Sequence, residues 1–199
     1  MKAVLTGDII NSQQASSPNW LKALRSCLAL YGEETKSWEV YRGDSFQLSL
    51  KAEEALKAVM HIKSCVRQFT PLDARVVIGL GEEDFHPGRV LEANGSAYVR
   101  SGNAFEGLKK NKLLLASGNK AFDQPLNIML QLAQLSINSW TSTVAAVVEQ
   151  AILHPEWKQI DIAKHLNKSQ SNISEALKRA GFDEILMVEE FYRKALQQL

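Results

Sequence analysis

Two aspartates sit in turn-like settings early in the chain, Asp8 in the segment TGDIINS and Asp44 in YRGDSFQ. Carboxylates are hard oxygen donors. Two of them brought side by side would hold a divalent cation, Mg²⁺ or Mn²⁺, which in turn holds the phosphates of a nucleotide. Aspartate after glycine is also an ordinary turn residue, so the pair reads as a metal site only in a fold that makes the first strand and the later turn neighbours. Ser101-Gly102-Asn103 is a second polar group, able to open a helix toward an anion or to act as a plain cap. Other chemistry-bearing residues are scattered: His61, His86, His154 and His165, like Cys27 and Cys65, lack metal-ligand spacing. Gly79-x-Gly81 has no third glycine opening a helix, as a dinucleotide loop requires.

The C-terminal segment QIDIAKHLNKSQSNISEALKRA carries a different pattern. Ile160, Ile162, Ala163 and Leu166 give a short helix its buried face, and Ile173, Ala176 and Leu177 bury a second. Asn167 stands where the turn needs a left-handed residue, and Ser169 is a fitting N-cap. That is the layout of a helix-turn-helix. It leaves Ser169, Gln170, Ser171, Asn172, Ser174 and Lys178 to face a DNA groove, where Gln and Asn read adenine and Ser and Lys serve phosphates or bases. An αα-hairpin of a bundle with a solvated polar face has the same pattern. Charge favours DNA: from Trp157 to Arg179 five basic side chains (Lys158, Lys164, Lys168, Lys178, Arg179) stand against Asp161 and Glu175, a local +3. Since such readers bind paired half-sites, a homodimer is expected.

The elements that must position these residues follow from spacing. Ala3 to Leu5 reads as a strand ending at Thr6-Gly7-Asp8. Ser17-Pro18 starts a helix carrying Trp20, Leu21, Leu24, Leu28 and Tyr31, which Gly32 stops. Trp38 to Tyr41 and Phe46 to Leu50 read as a hairpin across a tight Gly43-Asp44 turn. Ala52 to Phe69 repeats as one apolar helix face, and Ala74 to Leu80 is a strand whose Gly79 and Gly81 allow close backbone approach. After a loop, a helix near Tyr98 to Lys109 and a strand from Lys112 to Ala116 complete the pattern. The fold class is therefore α+β: a βαββαβ-type domain over 1–122, a connecting helix over 123–139, and an all-α helix-turn-helix domain over 140–199.

Composition agrees with a globular chain of 199 residues, 45% hydrophobic and 23% charged. Lys plus Arg is 23 and Asp plus Glu is 22, so the net +1 excludes a uniformly basic nucleic-acid coat but not a local patch. No apolar run reaches membrane-spanning length, the first residues do not form a signal peptide, and the two cysteines suit a reducing cytoplasm.

TGDIINS, YRGDSFQ and ARVVIGLG also resemble the palm domain of class III nucleotide cyclases and of GGDEF diguanylate cyclases. With GSAYVRSGNAF and the later AKHLNKSQSNISEALKRA, the order of motifs resembles the SatD family of bacterial proteins over nearly the whole chain. The resemblance implies a ferredoxin-like palm in which Asp8 and Asp44 bind the cation. It also marks departures. Ser45 stands where diguanylate cyclases carry a second acidic residue, Val40 where class III cyclases carry a base-reading lysine, and Gly107 where an arginine would follow Asn103. Arg42, Arg75 and Arg100 remain to reach phosphates. The expectation is thus a DNA-binding regulator that senses a nucleotide or other phosphorylated small molecule through Arg42, Arg75, Ser101 and Asn103 without turning it over. A metal-dependent nucleotidyl cyclase or transferase, and a non-catalytic interaction scaffold, are the alternatives.

Overall fold

The computed structural model describes residues 1–15, 19–108 and 111–199. The expected Ser17-Pro18 helix start and the positions of Lys109 and Lys110 lie outside them. In chain order the elements are β1 (Lys2–Ile10), α1 (Asn19–Ala29), β2 (Trp38–Tyr41), β3 (Ser45–Lys51), α2 (Ala55–Val66), β4 (Asp73–Gly81), α3 (Ser96–Glu106) and β5 (Leu113–Ala116). The helices α4 (Lys120–Ile137), α5 (Ser142–Leu153), α6 (Gln159–His165), α7 (Gln170–Ala180) and α8 (Phe182–Leu196) follow. The class is α+β, with one five-stranded sheet ordered β2-β3-β1-β4-β5. β1 is central and antiparallel to both β3 and β4, while β5 joins β4 in parallel through α3.

β1 does not stop at Leu5. It runs on through Gly7 and Asp8 to Ile10 because it has a partner on each side, with Asp8 opposite Ser45 on β3 and Arg75 on β4. Gly7 fits there since a Cβ would sit 2.5 Å from Cζ of Phe46. The β2–β3 turn is also one residue longer than expected. Tyr41 pairs with Ser45, leaving Arg42, Gly43 and Asp44 in the loop, with Arg42 at φ 53° and Gly43 at φ 93°.

Strand alternation gives the sheet two different faces. Ala3, Leu5 and Ile9 of β1 share one face with Phe46, Leu48, Val76 and Ile78, and this face packs on α1 and α2 in the main core. Val4, Thr6 and Asp8 share the other with Ser45, Arg75, Val77 and Gly79, and α3 lies over it. The approach of α3 depends on small residues. A Cβ at Gly79 would meet the Ala97 carbonyl at 2.3 Å, and one at Gly81 the Ala97 N at 2.7 Å.

α2 differs from the expected one-faced helix. Every residue from Ala55 to Val66 is buried except Lys57, because α2 is held between the sheet, α1, α5 and α8. The apolar core accordingly runs unbroken from β1 through α2 to Val147 and Val148 of α5, Ile173 of α7 and Tyr192 of α8. The Tyr192 hydroxyl donates to the Ala52 carbonyl at 2.6 Å, tying α8 to the segment that enters α2. No helix among the described residues is long and apolar enough to cross a membrane.

Candidate functional site

Asp8 and Asp44 meet at the end of the sheet where β1 leaves it. The Ile9 amide donates to the Asp44 carbonyl at 3.0 Å, which fixes the hairpin turn beside β1. Both aspartates line one open cavity of about 610 Å³ with Asn11, Ser12, Arg75 and Lys112. Arg75 stands opposite Asp8 on β4 and grips it with two parallel hydrogen bonds, Nε to Oδ1 at 2.9 Å and a second from its terminal nitrogen to Oδ2. A fork against a carboxylate is the strongest geometry available to such a pair. The Asp8 hydrogen bond, together with the Asp44 charge, raises the Arg75 pKa above its ordinary value. Phe105 of α3 lies under the guanidinium at 5.7 Å. Ser12 donates its hydroxyl to Oδ2 of Asp44 at 2.6 Å.

A charge cluster absent from the sequence reading borders this cavity. Asp73, opposite Ile10 and almost fully buried, receives Lys63 at 3.1 Å, Arg67 at 2.9 Å and Lys112 at 2.8 Å. Three cations share one carboxylate. Burial alone would raise the Asp73 pKa, but Lys63, Lys112 and Arg67 outweigh it and hold the carboxyl below its usual range. Burial lowers the pKa of Lys63, whose ammonium is capped by the Ala74 carbonyl at 2.6 Å. The available signal was a Lys63–Arg67 pair one helical turn apart inside an otherwise apolar helix.

The other expected ligand residues are placed elsewhere. Arg42 is exposed in the hairpin and is not part of the cavity wall. Ser101 does not open a helix: α3 begins at Ser96, and Ser101 is fully buried on the β1 side of it. Its hydroxyl lies 2.9 Å from that of Thr6 and donates to the Tyr98 carbonyl at 3.0 Å, so it holds α3 onto the sheet rather than meeting a ligand. Asn103 is exposed on α3, also outside the cavity wall. Arg100 donates to the Leu80 carbonyl at 2.7 Å. Among the described residues no three His, Cys, Asp or Glu side chains gather as a metal cluster.

In the C-terminal part, α5, α6 and α7 pack against one another through Val148, Ile162, Ala163, Ile173 and Ala176. Asn167 adopts φ 55° at the α6–α7 turn, and Ser169 caps α7 by accepting from the Asn172 amide at 3.2 Å. Ser169, Gln170, Ser171, Asn172, Ser174 and Lys178 are all exposed. So are Lys158, Lys164, Lys168 and Arg179, and none of these cations makes an ion pair among the described residues. Elsewhere Arg25, Arg75, Arg89, Arg193 and Lys194 each hold a carboxylate. A second cavity, about 550 Å³ and mainly apolar, lies between this helical group and α2, with Trp140, Trp157 and Phe182 in its wall.

The family model for the SatD family matches residues 3–193. The chain belongs to the SatD family. No curated protein and no solved structure matches it. The matched span includes the residues of the Asp8–Asp44 cavity and of the α6–α7 pair.

Proposed function

We propose that this SatD-family protein is a DNA-binding transcriptional regulator whose N-terminal part senses a phosphorylated ligand, a nucleotide by preference, together with Mg²⁺ or Mn²⁺. The observation that carries the reading is the exposed α7 face, where polar residues suited to base edges stand among five exposed cations that make no ion pair among the described residues. Such cations are available to neutralise phosphates, whereas paired ones first have to break a bridge. The α6–α7 packing, with its left-handed Asn167 and capped Ser169, supports a helix-turn-helix with α7 as the recognition helix.

The sensing half of the proposal rests on the cavity. The order β2-β3-β1-β4, with α1 and α2 as the crossover helices, supports a ferredoxin-like palm, and β5 extends it. In such a palm Asp8 and Asp44 would be the cation's two carboxylate donors, with water and phosphate oxygens completing the shell as Mg²⁺ usually requires. Arg75 occupies both Asp8 oxygens. A cation and a phosphate bound together would replace this one pair by two, with Asp8 holding the cation and Arg75, beside Lys112, holding the phosphate. Neither component alone would complete that exchange, so the site would favour the complex of both over either one.

Titration calorimetry with nucleoside triphosphates in the presence and absence of Mg²⁺ or Mn²⁺ tests the sensor. Heat is expected only with both present, and it is lost in Asp8→Asn and Asp44→Asn. Heat that survives both substitutions refutes the assignment. Binding to a mixed-sequence DNA duplex should weaken steeply with salt, and indifference to salt refutes the DNA reading.

A further inference from the structure

The outer face of α4 stays uncovered among the described residues. α4 turns Leu126, Leu130 and Ile137 into the core, but Ile128, Leu132 and Leu135 point outward and are 53%, 63% and 71% exposed. Their spacing of four and then three residues is that of a coiled-coil seam. Asn111, Gln131 and Asn138 join them around a shallow groove of about 410 Å³. From Gln124 to Val148 the sequence has no Asp, Glu, Lys or Arg.

We infer that this stripe on α4 is the surface through which two copies of the chain pair, α4 against α4. Charge selects the occupant. A charged partner would lose solvation against the α4 stripe with no opposite charge on that helix to gain between Gln124 and Ile137. A second copy brings the same neutral seam, protruding leucines and groove, which is what a two-fold interface requires. The three apolar side chains expose on the order of 300 Å², comparable to the largest apolar patch of a typical monomer, which is often functional. That is less than the ~800 Å² per partner of a standard interface, so the pair dissociates on dilution.

The position of the seam gives the pairing a purpose, a point that rests on the proposed DNA-binding role. At the end of α4, Ser136 donates to the Ala180 carbonyl at 2.7 Å, and the Trp140 indole donates to the same carbonyl at 3.1 Å. Ala180 is the last residue of α7. Pairing through α4 therefore fixes the separation of the two recognition helices, as binding to half-sites one or more helical turns apart demands.

Sedimentation equilibrium of the full chain without DNA is the test. The wild type should pass from twice 22.2 kDa toward 22.2 kDa over a hundredfold dilution. Leu132→Glu with Leu135→Glu should remain monomeric with an unchanged circular-dichroism spectrum, whereas the control Leu30→Glu, exposed at the end of α1 (64%), should still pair. Leu132→Cys should form a disulfide-linked dimer under mild oxidation and Leu30→Cys should not. A wild type monomeric at every concentration, or a dimer that survives the double substitution, overturns the inference. Salt-dependent binding to a mixed-sequence duplex, measured separately, reports on the DNA reading. A dimer indifferent to DNA removes that reading and leaves the pairing intact, while a monomer that binds DNA does the reverse.

Discussion

Asp73→Asn is expected to be among the most damaging single substitutions outside the purely apolar core. Asp73 is 3% exposed and neutralises Lys63, which is fully buried. Its three cationic partners are not equally dependent on it. Arg67 keeps the Asn138 and Trp140 carbonyls, at 2.7 Å and 3.0 Å, and Lys112 is about a third exposed and can turn to water. Lys63 is left with only the Ala74 carbonyl at 2.6 Å. Stranding a buried charge in this way costs about 3–5 kcal/mol. With two of the three cations partly provided for, the lower end, about 3 kcal/mol, applies. At 2–4 °C per kcal/mol for a chain of this size, the melting temperature falls by roughly 6–12 °C. Urea unfolding followed by circular dichroism measures it. Adding Lys63→Met in the Asp73→Asn background should recover part of the loss, because the stranded ammonium is gone. A loss below about 1 kcal/mol with an unchanged denaturant slope, or a double variant less stable than Asp73→Asn alone, refutes the reasoning.

Other substitutions separate the remaining contributions. Burial, with Lys57 nearby, pushes the His61 imidazole down to about 4, while the unfolded ring titrates near ~6.5. Between those values the unfolded chain holds a proton that the folded chain lacks, so stability falls as the pH drops through this window, by up to roughly 3 kcal/mol. His61→Gln should flatten that slope, and an equally steep curve in the variant would count against it. The Asp73 contribution behaves differently: it is full above the unfolded carboxyl value of ~3.9 and is lost only as the pH falls through the lower folded one. Gly79→Ala pushes a methyl against the Ala97 carbonyl and the Ser101 amide, both backbone, and should cost about 1–3 kcal/mol in thermal melts; no loss would mean that α3 can retreat. Lys178→Ala should lower the salt slope of duplex binding by about 1 without changing circular dichroism, and an unchanged slope would remove Lys178 from the phosphate contacts.

Local signals proved readable where one element decides the outcome. The Asn167 turn, the Ser169 cap and the exposed α7 residues follow from spacing within a single segment, and so does the β2–β3 hairpin apart from its extra loop residue. The glycines of β4 also announced the close approach of α3. What could not be read depends on pairing between distant segments. Thr6-Gly7-Asp8 looks like a strand end until β3 and β4 flank it, and Ser101 looks like a helix start until Thr6 is brought beneath it. Asp8 and Asp44 were visible as acids, but their pairing with Arg75 and Ser12 exists only in the assembled sheet. The Asp73 cluster needs β4, α2 and the start of β5 at once, and its lysine and arginine look like surface charges on a linear reading.

Arg67 reaches in two directions: one nitrogen holds Asp73, and the others hold the carbonyls of Asn138 and Trp140 at the α4–α5 junction. Trp140 in turn holds the end of α7. A hinge between the Asp8–Asp44 cavity and α7 would need slack at this junction, and side-chain donors close it. A displacement that passes between the Asp8–Asp44 cavity and α7 then travels as a small shift of a stiff body, and Arg67 lies on that route because it bridges Asp73 of β4 and the α4–α5 junction. It also means that the halves are poor material for recombination: grafting either one onto a foreign partner breaks the seam that gives it a fixed orientation.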